Sequence, residues 1–508
     1  MQHSTQMVSF PERLRELARE APATIAISSG GIDVTYGALW RKIESATSAL
    51  STRWRVRAGD RVAYIGLNDP AHIVLLAALM RLRAILLPLN YRLAPAELRT
   101  MLGEAEASLS IADGAFAGIA HELGAPVASR DAVLDTNVAS VSADTDARTG
   151  VEDADLPALL VYTSGTTGIP KGALHTHGSL YSNVVASQTL HAFTADDAVL
   201  TVLPLFHVGG LCIQTIPALY AGARVILHPR FDAGAWLDSV DREKPTTSLM
   251  VPATMRAVQE HPHWATADLS SLRLLGAGSS TIPRPLIERF HQRGIPVCQV
   301  YGATETGPVS IVLDARDAFD RIGTAGKPAA GTTIRLLDER GGTVARDGEV
   351  GEICIRGGNV VKGYWRDPGN PAFADGWFRT GDLALRDEEG FYTIVGRAKD
   401  MIISGGENIY PAEIENALAG LDVVADVAVV GIPDRTWGEI PVAFVVPRDA
   451  VSADEAPIRA ALEGTLARFK HPRRIVFRAT LPRNALGKVR KSALVEELLG
   501  STDETTAD

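Results

Sequence analysis

Up to Gly396, short runs of β-branched and aliphatic residues recur between longer amphipathic segments: Arg61 to Ile65, Ala158 to Tyr162, Val199 to Leu203, Ala223 to Leu227 and Val297 to Tyr301. Such alternation implies an α/β architecture, with helices covering parallel strands. A chain of 508 residues outgrows one hydrophobic core, so two or more compact units are expected. The most apolar stretch, Ile73 to Leu89, is interrupted by Arg81, Arg83 and Pro88. It therefore reads as a buried helix running into a strand, not a membrane span.

Composition divides the chain further. Between Ala128 and Asp155 it turns to Ser, Thr, Asp and Ala, which suggests a surface connection. After Gly396 a polar joint, Arg397 to Asp400, leads to the turn Ser404, Gly405, Gly406 and a small α+β unit. There Pro411 opens a helix with apolar Ile414, Ala417, Leu418 and Leu421, followed by strands near Val427 to Val430 and Val442 to Val446. The expected organisation is a large α/β domain over 1–396, a joint at 397–400 and a small domain over 401–508, with the last dozen polar residues frayed.

A net charge of −10 excludes a general basic face for nucleic acid, so any phosphate must be met locally. Cys212, Cys298 and Cys354 are odd in number and far apart, which speaks against a disulfide framework or a zinc site. With no basic-then-apolar leader at the N-terminus, a cytoplasmic protein is expected.

The segment with the most chemistry is Tyr162, Thr163, Ser164, Gly165, Thr166, Thr167, Gly168, Ile169, Pro170, Lys171, Gly172, directly after an apolar strand. Glycines allow backbone N–H groups to approach an anion, hydroxyls add donors and Lys171 adds a charge, a combination suited to a polyphosphate. Its spacing is not that of a Walker A loop.

This loop resembles the phosphate loop of the adenylate-forming superfamily of acyl-CoA synthetases, adenylation domains and firefly luciferase. Five further motifs stand in the family's order: Tyr301-Gly302-Ala303-Thr304-Glu305, Arg379-Thr380-Gly381-Asp382, Gly396-Arg397 with Lys399-Asp400, Ser404-Gly405-Gly406-Glu407-Asn408, and Pro482-Arg483-Asn484 with Gly487-Lys488. The resemblance implies the activation of a carboxylic acid by ATP as acyl-AMP with release of pyrophosphate, then transfer to coenzyme A. Acetate-to-palmitate and aryl acids all fall within such a family.

Residue by residue, the resemblance implies that Thr163 to Gly168 and Lys171 hold phosphates, and that Tyr301 stacks on adenine with Gly276, Ala277 and Gly278 closing the other side. Gly302 belongs to the same nucleotide wall. It implies that Thr304 bonds a phosphate oxygen, that Glu305 and Thr166 hold Mg²⁺, and that Asp382 and Arg397 bind the ribose. Lys488 would neutralise the reacting oxygens. A hinge at Lys399 would swing the small domain so that Gly405 and Gly406 line the pantetheine tunnel, with Trp437, Phe469 and Lys470 at the nucleotide end of coenzyme A.

The segment Leu203 to Leu211 resembles the acid-pocket motif, with His207 as its aromatic gate beside Val208 and Gly209; Val300, Gly302 and Ala303 form the other wall. No Asp beside His207 awaits an ammonium, so an amino acid is disfavoured, and Val300 offers no partner for a second carboxylate. Gly302, where acetate-specific relatives carry Trp, suggests a pocket open beyond two or three carbons. A medium- or long-chain fatty acid is the favoured substrate, with an aromatic or alicyclic acid next. The rivals are a stand-alone enzyme that loads a carrier protein and a non-catalytic binding protein of the same fold. Light production is set aside, since no Ser-Lys-Leu tail is present.

Overall fold

The computed structural model describes residues 7–134, 154–163, 170–280, 282–405, 407–448, 454–463, 465–484 and 487–503. Among them the strands form four sheets. In the first, six strands run in the order Val127–Ser129, Leu109–Ala112, Arg61–Ile65, Ile85–Pro88, Pro157–Thr163, Lys171–Thr176. All pairings are parallel except the last, an antiparallel pair that returns the chain across the Ser/Thr/Gly loop. In the second, nine-stranded sheet, Val297–Tyr301, Leu274–Gly278, Thr247–Met250, Ala198–Thr201, Arg224–Leu227 and Ile25–Ser29 form a parallel centre with antiparallel edges.

One core joins the two sheets: Val62, Leu86 and Leu159 of the first and Ile27, Val199 and Val225 of the second belong to a single apolar cluster. Helix Ala71–Arg81 lies within it, with every residue from Ala71 to Met80 buried. The apolar stretch is thus a core helix followed by a strand, because it is covered on all sides and has no polar face to give to water. Among the described residues no helix is long and apolar enough to cross a membrane.

The parallel expectation fails after Thr332. Strands Thr332–Leu337, Gly351–Gly357, Trp377–Arg386, Phe373–Ala374 and Tyr392–Arg397 form a five-stranded antiparallel sheet with no intervening helix. Tight turns substitute for crossovers; Gly376 and Gly390 take φ of 74° and 86°, the left-handed region such turns require.

The fourth sheet contains Glu407–Ile409, Ile402–Ser404, Gly438–Pro447 and Val424–Asp434, with Arg474–Phe477 parallel to Gly438–Pro447. The two long strands, Val424–Asp434 and Gly438–Pro447, exceed their apolar runs because the hairpin stays paired to its turn, Asp434 opposite Gly438. Alternation splits their side chains between two faces. Val429, Ala443 and Val445 pack under helices Pro411–Ala419 and Glu455–Leu462, while Val430, Val442 and Phe444 pack against Leu494 and Leu498 of helix Lys491–Asp503.

That last helix corrects the expectation of a frayed tail up to Asp503; residues 504–508 lie outside the described residues. Likewise the expected surface connection begins with a strand, Val127–Ser129, and a helix, Arg130–Leu134, whose Val133 is buried; residues 135–153 lie outside the description.

Candidate active site between the sheets

Strands Leu274–Gly278 and Val297–Tyr301 run parallel and in register, so their carboxyl ends present Gly278 and Tyr301 along one edge, where ligands bind in open α/β sheets. Close backbone approach dictates the glycines. A Cβ on Gly278 would meet Val300 O at 2.5 Å, and one on Gly302 would meet Pro308 O at 1.7 Å. The bare position at Gly302 is therefore demanded by the turn that follows.

That turn, Thr304–Thr306, is buried, and Glu305 within it is only 8% exposed. Two asparagines that sequence reading missed hold it. Asn359 Nδ2 donates to Thr306 O at 2.6 Å and Val309 O at 2.8 Å. Asn183 accepts from Val309 N–H at 3.2 Å through Oδ1 and donates to Cys212 O at 2.7 Å. An isolated Asn carries no motif, so only the fold could reveal them.

Tyr364, also missed, donates its hydroxyl to Glu305 Oε1 at 2.7 Å, and its ring centroid lies 5.0 Å from the Lys171 ammonium. Lys171 stands opposite Thr163 where the hairpin opens into the phosphate-loop segment. Ser164, Gly165, Thr166, Thr167 and Gly168 lie outside the described residues. Among the described residues no group of three or more metal-ligating side chains occurs. One buried carboxylate beside a phosphate-loop lysine instead suits Mg²⁺, which is held by one or two carboxylates and by substrate phosphates.

Asp382 and Arg397 face each other across antiparallel strands. Asp382 accepts from Tyr301 Oη and from Arg397 Nε, each at 2.8 Å. Burial and then Asp382 push the Tyr301 hydroxyl far above its usual range, so it stays a donor. Lys488 comes from the small domain on a tight loop in which its N–H donates to Asn484 Oδ1 at 2.9 Å and Gly487 takes a φ of 80°. Lys488 is exposed on its loop, yet the charges of Arg397, Asp382, Asp400 and Glu305 act on it. Burial first, then Arg397, lower its pKa, while Asp382, Asp400 and Glu305 oppose that shift. Lys488 thus shares one electrostatic site with Asp382, Arg397 and Glu305.

His207 Nδ1 accepts from Gly209 N–H at 3.0 Å, which leaves its proton on Nε2. Burial, then Lys488, lowers its pKa to about 4, so it is neutral at physiological pH. After Val208, a π-turn over Leu211–Thr215 leads into helix Ile216–Ala221. Thr201, Val202, Leu203, Gly210, Gln214 and Leu249 border a small void here that has no room for a water-sized group. The wall expected from Val300 and Ala303 lies at the end of the neighbouring strand Val297–Tyr301.

On the small domain, Gly405 N–H donates to Trp437 O at 2.7 Å, and a Cβ on Gly405 would meet the Trp437 ring at 2.8 Å. Trp437 and Phe469 are 44% and 42% exposed, too open for packed edge residues. Arg473 covers the Trp437 ring at 4.8 Å, Lys470 pairs with Glu413 at 2.7 Å, and Lys399 is exposed in the turn Ala398–Asp400. Gly406 lies outside the described residues.

The AMP-binding enzyme family matches residues 14–365, and the AMP-binding enzyme C-terminal domain matches residues 413–488. The chain belongs to the AMP-binding enzymes. Within this family it is 43% identical over 488 residues to an indoleacetate–CoA ligase of Aromatoleum aromaticum, covering 92% of this chain and 94% of the relative. It is 41% identical over 482 residues to a feruloyl-CoA synthase of an Amycolatopsis species, covering 93% and 96%. The o-succinylbenzoate CoA synthetase of Bacillus subtilis, solved with its acyl-adenylate intermediate, superposes with a TM-score of 0.86 at 31% identity, covering 96% and 98%. The reaction class of this AMP-binding enzyme is the ATP-dependent activation of a carboxylic acid as its adenylate and ligation to coenzyme A.

Proposed function

We propose that the chain is an aryl- or arylalkanoate–CoA ligase. The observation that carries this reading is the relationship to ligases of aryl acids, 43% identity to an indoleacetate–CoA ligase and 41% to a feruloyl-CoA synthase, each over more than nine-tenths of the chain. The names of the relatives, indoleacetate and feruloyl among them, support the same class, and the fatty acid favoured from the sequence gives way to the aromatic acid that ranked next.

In this reading the chemistry is charge management, because a carboxylate must attack phosphorus already surrounded by anionic oxygens. Lys171 and the loop Thr163 to Gly168 hold the pyrophosphate leaving group. Asp382 and Arg397 hold the ribose, and Tyr301 supplies a face for adenine against Gly276 to Gly278. Glu305, with Thr166, would hold Mg²⁺, which neutralises phosphate charge when bound. Lys488 lies over the attacking and accepting oxygens, and Nε2–H of His207 points a neutral donor at the acid carboxylate.

Thioester formation then requires the thiol to reach the carbonyl from the side Lys488 occupies. Rotation at Lys399 withdraws the lysine and brings Gly405 and Gly406 to the pantetheine arm, with Trp437, Phe469 and Lys470 beside the nucleotide end. The test is coenzyme A thioester formation with ATP and Mg²⁺ across acids from acetate to palmitate plus phenylacetate, indole-3-acetate, benzoate and cinnamates. Aryl thioesters with AMP are the expected products. Preferential turnover of palmitate would overturn the reading.

A further inference from the structure

Lys171 opens an edge strand: Lys171–Thr176 is the last strand of the six-stranded sheet and pairs within it only with Pro157–Thr163. Its outer side is met by residues 361–366, part of the connection that follows strand Gly351–Gly357. Tyr364 bridges antiparallel to Ala173, and Trp365 N–H donates to Gly172 O at 2.7 Å. Gly172 makes room for this, since a Cβ there would meet Leu160 Cδ1 at 2.8 Å and Trp365 Cβ at 3.2 Å. Four residues before Trp365, Val361 N–H donates to Glu305 O at 2.9 Å. Residues 361–365 thus run from the turn that carries Glu305 to the strand that carries Lys171, and Tyr364 lies between the two anchors.

The indole of Trp365 fixes the second anchor. Its Nε1–H donates at 3.1 Å to Glu104 O, one of the last carbonyls of helix Pro95–Ala105, which have no acceptor role inside the helix. The Arg61 guanidinium stands 5.5 Å from the ring centroid and is itself held by Ala105 O at 2.6 Å and Glu106 O at 2.7 Å. The ring also packs on the apolar cluster that contains Leu87, Leu102 and Leu160. A large ring with one polar handle, bonded at that handle and packed on its body, has little freedom to shift.

We infer that Trp365 is a positioning residue that sets Lys171 relative to Glu305, and with them the grip on the β- and γ-phosphates of ATP. This rests on the roles proposed above for Lys171 and Glu305 and adds what holds them in register, since the two residues come from different sheets. Trp365 acts through its neighbour: Tyr364 covers the Lys171 ammonium with its ring and donates its hydroxyl to Glu305. Without the indole, the segment keeps its anchor at Val361 but loses its fixed end beside Gly172, so both contacts of Tyr364 slacken together.

The test compares calorimetric Kd values for Mg-ATP and for AMP, which shares adenine, ribose and the α-phosphate but lacks the pyrophosphate portion. In Trp365→Ala the affinity for Mg-ATP is expected to fall about tenfold or more, the share of one charge-assisted contact, while that for AMP stays within about twofold of wild type. Trp365→Phe, which keeps a ring and loses the Nε1–H, is expected to lie between the two, and it carries the test if the alanine variant does not fold. Unchanged Mg-ATP affinity, or an equal loss of Mg-ATP and AMP as a general loss of structure would give, overturns the inference. Lys171→Met separates it from the reading beneath: unchanged Mg-ATP affinity there would overturn the phosphate role of Lys171 and the inference with it, whereas a loss in Lys171→Met without one in the Trp365 variants overturns the inference alone.

Discussion

Tyr364 holds Glu305 by a 2.7 Å hydrogen bond to one carboxylate oxygen, while its ring faces the Lys171 ammonium. The phenol sits between the carboxylate proposed to carry Mg²⁺ and the lysine proposed to hold the leaving pyrophosphate. Burial, then Glu305, raises its pKa well beyond the usual tyrosine range, so it remains a donor at any working pH.

Tyr364→Phe keeps the ring over Lys171 and deletes only the bond to Glu305. A hydrogen bond to a charged group contributes about 1.5–3 kcal/mol, so kcat/KM for Mg-ATP should drop by roughly ten- to a hundredfold. The half-saturating Mg²⁺ concentration should rise with it. An unchanged Mg²⁺ titration would remove Tyr364 from the metal site.

The lowered pKa of Lys488 has a direct kinetic sign. The ammonium is the working form, so activity is present below its pKa and lost as pH rises through it. Burial and Arg397 bring that loss below the ordinary lysine value of 10.5. The alkaline limb of kcat/KM for adenylate formation should accordingly fall below that value and should disappear upward in Lys488→Arg. Lys488→Ala should abolish adenylate formation by several orders of magnitude with ATP binding retained. A limb that stays put in Lys488→Arg would assign it to another group.

These residues divide according to what a sequence can carry. Lys171, Glu305, Asp382, Arg397 and Lys488 each sit in a short local string, so each could be proposed from the family motif that the string resembles. Asn183, Asn359 and Tyr364 act across the chain: Asn359 bonds carbonyls 53 and 50 positions away, and Tyr364 reaches Glu305 over 59. Nothing near them in sequence marks that work. The sheets divide the same way. Parallel strands showed as continuous apolar runs because both faces are buried, whereas the strands from Thr332 to Arg397, half exposed, left no such signal.

Asn359 is 1% exposed and donates both amide protons to the turn that carries Glu305. Asn359→Ala leaves two buried carbonyls without donors, a cost of about 1–3 kcal/mol each. Thermal unfolding should begin earlier, and pyrophosphate exchange should slow at saturating ATP as the turn loosens. A variant with unaltered unfolding and exchange would show that Asn183 and the Val361 N–H bond to Glu305 O suffice to hold the turn.

The exposed aromatic face of the small domain separates the two half-reactions. Trp437, 44% exposed, makes its guanidinium contact with Arg473 and its backbone bond with Gly405, and neither contact involves Asp382 or Glu305. Trp437→Ala removes a stacking surface without touching the nucleotide site. Stacking on a base is worth about 1–3 kcal/mol, so KM for coenzyme A should rise roughly five- to a hundredfold. Acid-dependent pyrophosphate exchange, which needs no thiol, should be unaffected. Loss of both half-reactions together would mean that Trp437 supports the docked position of the small domain that places Lys488, and the coenzyme A surface would then have to lie elsewhere.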